Sequence, residues 1–108
     1  MKLATKTIAS LYSTIASALK PGVELHKTTW QRCKKIIHKH DRKAELRASL
    51  LGVKPEDFRE QERKGRLANY LEKFGFKNEQ SFYVALLGKL RHELRQRGWS
   101  AHKIAAIA

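Results

Sequence analysis

Along 3–20 the apolar residues Ile8, Leu11, Tyr12, Ile15 and Leu19 fall at offsets of three, four, seven and eleven. A repeat of 3.6 residues per turn gathers those offsets onto one side, so the spacing predicts a first helix. Pro21-Gly22 predicts its end, because proline has no amide to continue the hydrogen-bond ladder. A second helix is expected to start at Thr28 or Thr29, either hydroxyl being able to cap free amides, and to run to Leu51 with Gly52 as a left-handed terminator. Its inward stripe reads Trp30, Cys33, Ile37, His40, Ala44 and Leu51, widened by Ile36, Leu46 and Leu50. The opposite flank carries Arg32, Lys35, Lys39 and Arg42 at spacings of three and four, extended by Lys34, His38 and Lys43.

Pro55 opens a third helix, with Glu56 and Asp57 suiting the positive end of its dipole and Phe58 as first anchor. The stretch 59–66 then holds no apolar residue, which leaves two readings open: a solvated helical segment or a hinge at Gly65. Packing is expected to resume with Leu67, Tyr70, Leu71 and Phe74. Asn78 predicts the cap of a fourth helix, whose inward face is Phe82, Tyr83, Leu86, Leu87, Leu90 and Leu94. Arg91 and Arg95 lie outward one turn apart, and Glu93 with Arg97 has the spacing of a weak helical ion pair. Gly98 stands where a left-handed terminator would place Trp99 against Leu94, and Ser100 caps a short last helix ending in Ile104 and Ile107. The reading is therefore all-α: a compact bundle of four main helices plus a short C-terminal helix, in a single domain over 1–108.

Charge changes the picture most. The 108 residues contain 23 Lys and Arg against 10 Asp and Glu, a net charge of +13. Concentrating that charge in one small domain costs self-repulsion, which a polyanion relieves, and nucleic acid adds the gain of released counterions. The excess is uneven: 1–53 carry 11 basic and 3 acidic side chains, 54–80 carry 7 and 6, and 81–108 carry 5 and 1. Binding surface is thus expected on the second helix and the last two, rather than on the central segment. A face kept basic only for solubility usually mixes both signs, whereas the second helix has only Asp41 and Glu45 nearby. The basic cluster Arg63, Lys64 and Arg66 is partly neutralised by Glu60 and Glu62.

The single cysteine, Cys33, excludes an internal disulfide and suggests a reducing compartment, so a cytoplasmic location is expected. The acid-free start, rich in Ala, Ser and Thr, invites comparison with an organellar transit peptide, but it lacks arginine and reads better as the first helix of the domain. No apolar run reaches the roughly 20 residues that span a bilayer, and no membrane partner is expected.

Around Gly98 the chain resembles the helix-turn-helix of DNA-binding proteins: a glycine turn joins two helices, and Ile104 and Ile107 follow it by six and nine positions. The resemblance covers under a fifth of the chain, and Leu94 departs from it, standing where that family has a small residue. It implies that Ala101, His102 and Lys103 would face the groove. Read without it, the same stretch is a helical hairpin closing the core.

Chemistry beyond binding is sparse. His38 and His40, two apart on a helix, point about 200° from each other, and Cys33 with His40 supplies two ligands where a closed zinc site needs about four. No metal or cofactor is expected. There is no nucleophile elbow, no phosphate-cradling glycine loop and no cluster of carboxylates. The chain is accordingly expected not to be an enzyme. The enzymatic alternative is a metal-independent, toxin-like ribonuclease using His92 with Glu93 and Arg95, or His38 and His40.

The expectation is a small basic protein that contacts the phosphate backbone of DNA or RNA, as a regulator or as a subunit of a nucleoprotein complex. Arg32, Lys34, Lys35, Lys39, Arg42, Lys43, Arg63, Lys64, Arg66, Arg91, Arg95, His102 and Lys103 would make the contacts. An adaptor that uses its basic face on an acidic protein is the other alternative. Because the aromatics fall on core stripes, no single-strand stacking platform is expected, and structured or duplex nucleic acid is preferred.

Overall fold

The computed structural model describes residues 3–19 and 27–107, with backbone alone for 27–30. Among the described residues the chain forms α-helices and no strand: α1 (Thr5–Ala18), α2 (Lys27–His40), α3 (Glu45–Leu51), α4 (Pro55–Arg63), α5 (Leu67–Glu72), α6 (Glu79–Gln96) and α7 (Ala101–Ile107). The all-α expectation holds, and the expected count of four helices plus one becomes seven, because two of the expected helices are each broken in two. The predicted stop at Pro21-Gly22 and the side chain of Trp30 lie outside the described residues. Helix α2 is already helical at Lys27, ahead of the expected caps at Thr28 and Thr29.

The core is built around α1, which packs on α6, α2 and α7. Ile8, Leu11 and Ile15 are buried, as the periodicity predicted, against a core that includes Phe82, Tyr83, Leu86, Leu90 and Leu94 of α6. A segment that could be read as an import signal thus forms the centre of the hydrophobic interior. Arg97 ties the two helices at their ends. It was expected to pair with Glu93, but donates instead to the carbonyl of Leu3 at 2.8 Å and to the Thr5 hydroxyl at 3.3 Å.

The first break falls at 41–44, inside the expected second helix. The amide of Ala44 turns back to the carbonyl of Asp41 at 2.9 Å, and Ala44 adopts a left-handed φ of 57°. That conformation costs an alanine about 1–2 kcal/mol. Its compensation is the Asp41 carboxylate, which accepts the first-turn amides of α3, Leu46 at 3.2 Å and Arg47 at 3.3 Å. Such amides lack intrahelical partners and need an acceptor. The second break, at 64–66, settles the polar stretch both ways: α4 is helical through Arg63, and Gly65 then turns the chain at φ 69°.

At the other end of the molecule the predicted punctuation is observed. Asn78 accepts the Ser81 amide at 2.8 Å and caps α6. After α6, the amides of Gly98 and Trp99 return to the carbonyls of Arg95 and Leu94 at 3.1 Å each, the paired bonds of a left-handed glycine terminator. The Ser100 hydroxyl accepts the Lys103 amide at 3.1 Å and opens α7. Phe74 departs from expectation. It follows the end of α5 and is 40% exposed, its ring meeting Tyr70 edge to face rather than entering the core.

A candidate nucleic-acid interface and the ion chain behind it

Cys33 and Ile37 hold α2 to the core, at 2% and 0% exposure. Helical geometry then directs the opposite flank to solvent, and Arg32, Lys35 and Lys39 are exposed there. Arg42 and Lys43 are exposed in the turn that follows. Among the described residues none of these five forms an ion pair. Lys34, predicted alongside them, is instead committed to Glu79 at the start of α6, Nζ to Oε2 at 2.6 Å. Its charge is locally compensated, which weakens its candidacy as a free phosphate contact.

The remaining candidates are dispersed. Arg63, Lys64 and Arg66 are exposed around the α4–α5 turn, Lys64 pairing with Glu60 at 3.2 Å. Arg91, Arg95, His102 and Lys103 are exposed on α6 and α7. The Lys103 ammonium lies 4.2 Å from the centre of the Trp99 ring, a cation–π contact that leaves it accessible. Helices α6 and α7 each pack on α1, as does α2, so these cations belong to different elements from the row on α2. Ile104 is buried, while Ala101, His102 and Lys103 are exposed, which fits both the closing hairpin and the helix-turn-helix resemblance.

Behind the row lies an arrangement that reading the sequence missed. Arg47 and Asp41 are 1% and 2% exposed, the two buried charged residues among those described. Arg47 Nε donates to Asp41 Oδ2 at 3.0 Å, and Nη2 donates to the Asp41 carbonyl. Nη1 donates to Glu62 Oε2 at 2.8 Å, crossing from α3 to α4. The guanidinium stands 5.6 Å from the centre of the Phe58 ring. The chain of charges ends at His38, whose Nε2 is 3.5 Å from Glu62 Oε2 and 3.4 Å from Arg47 Nη1.

Burying charges costs several kcal/mol of desolvation per ion, recovered only when each polar atom is paired. Here the pairing holds the α2–α3 corner against α4, whose outer residues offer no apolar anchor after Phe58. Both missed partners had a signal in the sequence. Arg47 lies three residues after Ala44 and four before Leu51, on the predicted inward stripe, and Glu62 lies one turn after Phe58.

His38 and Glu62 also line a cleft of about 440 Å³ with Lys34, Lys35, Gly65, Leu67, Ala68 and Glu79. His40, expected at the edge of the core, is half-buried. Burial pushes the Cys33 thiol up to about 11 from an ordinary value of 9.0, so it is a poor nucleophile at neutral pH. Among the described residues no three His, Cys, Asp or Glu side chains gather as a metal site would require, and no helix is long and apolar enough to cross a membrane. Comparison with protein-family models, curated proteins and solved structures finds no match.

Proposed function

We propose that the protein binds the phosphate backbone of nucleic acid through the outer flank of α2 and the turn after it. The observation that carries this reading is the exposed set Arg32, Lys35, Lys39, Arg42 and Lys43, which has no carboxylate partner among the described residues. Three of the carboxylates near the region are directed elsewhere: Asp41 and Glu62 to Arg47, Glu79 to Lys34. What remains is a strip of cations on a helix fixed by its buried face. Such a strip neutralises successive phosphates and reads no bases, so the binding is tolerant of sequence. Arg91, Arg95, His102 and Lys103 offer a second, weaker contact set on α6 and α7.

The test is binding to matched duplex DNA, duplex RNA and single-stranded probes across a salt titration. Four neutralised phosphates give a log–log slope of about −3.6 on a DNA duplex, or on the order of 100-fold loss of affinity between 50 and 200 mM salt. Lys35→Glu with Lys39→Glu should abolish binding and leave the circular dichroism spectrum and unfolding midpoint unchanged, since both side chains are exposed. A shallow slope, or full affinity in that double variant, overturns the reading. Co-purification with an acidic protein and no affinity for nucleic acid would favour the adaptor alternative.

A further inference from the structure

Phe74 was expected on a core stripe and lies outside it. Of the large apolar side chains described, Phe74 and Val84 are exposed, at 40% and 51%, and Phe74 is the one with a π face. Its ring is held in place by what precedes it. The amides of Lys73 and Phe74 return to the carbonyls of Tyr70 and Leu71 at 3.2 and 3.0 Å, and Gly75 then turns the chain at φ 91°. Tyr70 meets the Phe74 ring edge to face at 5.2 Å, and is itself set edge to face on the buried Phe58 at 6.4 Å. An edge-to-face contact takes up at most one face of a ring, so at least one face of Phe74 has no ring against it among the described residues. Three exposed cations accompany it along the chain: Arg66 one helical turn before Tyr70, Lys73 next to Phe74, and Lys77 three residues on. None of them forms an ion pair among the described residues. Two carboxylates share the area. Glu72 is exposed in the last turn of α5, and Asp57 adds to burial in raising the Tyr70 hydroxyl above its ordinary value. Neither is paired with the three cations, and the local balance stays positive.

From this arrangement we propose that Phe74 is a stacking platform for one unpaired base of a nucleic-acid strand, with Lys73 and Lys77 contacting the phosphates beside it. The proposal rests on the nucleic-acid reading above and adds to it a preference for unstacked bases, in single strands, loops or bulges. Every base has a π face, so stacking adds affinity without reading sequence, while cations at the margin of the ring neutralise the backbone. The size of the patch favours a base over a protein partner. One phenylalanine contributes at most about 250 Å² of apolar contact, against about 800 Å² from each side of a stable protein interface. Its exposed neighbours Lys73, Gly75, Lys77 and Asn78 add no large apolar side chain to it. A duplex keeps its bases stacked on one another, and would meet the cations of this turn but not the ring. Helix α5 borders the strip on α2, since Leu67 and Ala68 line the same cleft as Lys35. The two contact sets thus belong to neighbouring elements.

The experiment titrates the full chain with three probes of one length: a single-stranded DNA of mixed sequence, its duplex, and the same strand carrying abasic sites. Phe74→Ala should weaken binding to the intact single strand about 5- to 150-fold, and leave the duplex and abasic affinities at their wild-type values. Phe74→Tyr keeps the ring and should keep the affinity. Phe74→Leu keeps apolar bulk without a π face and should behave as Phe74→Ala. All three variants are checked by urea unfolding, and because the side chain lies outside the core each should remain folded. Lys73→Ala with Lys77→Ala should flatten the log–log salt dependence on the single strand by about 1.4, some 0.7 for each phosphate released. Wild-type affinity for the intact strand in Phe74→Ala or Phe74→Leu overturns the proposal, as does an equal loss on all three probes or an unchanged salt slope in the lysine variant. Any of these, with salt-sensitive binding still present in the wild type, leaves the α2 reading standing. Wild-type protein that binds none of the probes removes that reading, and this one with it.

Discussion

Replacing Arg47 with methionine tests the energetics on which this architecture turns. The side chain fits a similar volume but removes the bonds from Nε to Asp41 Oδ2, from Nη2 to the Asp41 carbonyl and from Nη1 to Glu62. Asp41 then keeps a carboxylate 2% exposed, satisfied only by the two α3 amides at 3.2 and 3.3 Å. Breaking a buried pair from one side costs about 3–5 kcal/mol, most of it the stranded charge. A domain of this size has about 5–15 kcal/mol in total, so the variant should lose at least about a fifth of its stability. Followed by far-ultraviolet circular dichroism in urea, with a slope of about 1–3 kcal/mol per molar, the midpoint should fall by about 2 M. The double variant Arg47→Met with Asp41→Asn carries no stranded charge at that position and should be less destabilised than the sum of its single changes. A loss below about 1 kcal/mol for Arg47→Met, or a double variant at or beyond additivity, would refute the claim that ion pairing, rather than packing around Phe58, holds this corner.

Three further outcomes follow from burial. Ile15→Ala, at a site with 0% exposure in the centre of α1, should cost about 2–5 kcal/mol in thermal or urea unfolding; a cost near zero would show that α1 is not part of the folding core. Cys33, 2% exposed with its thiol pushed up to about 11 from 9.0, should resist alkylation of the native protein near pH 8 and react in urea. Because its folded value is the higher one, its contribution to stability is complete below pH 9.0 and is lost as pH rises toward 11. The difference in stability between wild type and Cys33→Ala, measured by urea unfolding from pH 8 to 11, should change in that window and be flat below it.

What the sequence determined by itself is whatever depends on near neighbours along the chain. A 3.6-residue repeat places Ile8, Leu11 and Ile15 on one side of α1 whatever it packs against, and Asn78, Gly98 and Ser100 make their caps within a few residues of themselves. The outward row Arg32, Lys35 and Lys39 was legible for the same reason, since one helix with Cys33 and Ile37 buried has only one other flank. Tertiary structure alone decided where charge is compensated. Glu62 reaches Arg47 across fifteen positions and Glu79 reaches Lys34 across forty-five, distances over which no helical period carries information. The helix break at 41–44 followed from the same cause, because Asp41 turns into the core only where a buried guanidinium and two free amides await it. Phe74, placed by its spacing in the interior, lies outside because α5 ends at Glu72 and the chain has turned before the ring could follow its stripe inward. Periodicity gives the direction of a side chain relative to its own helix, and a partner on another helix is fixed only when the helices have packed.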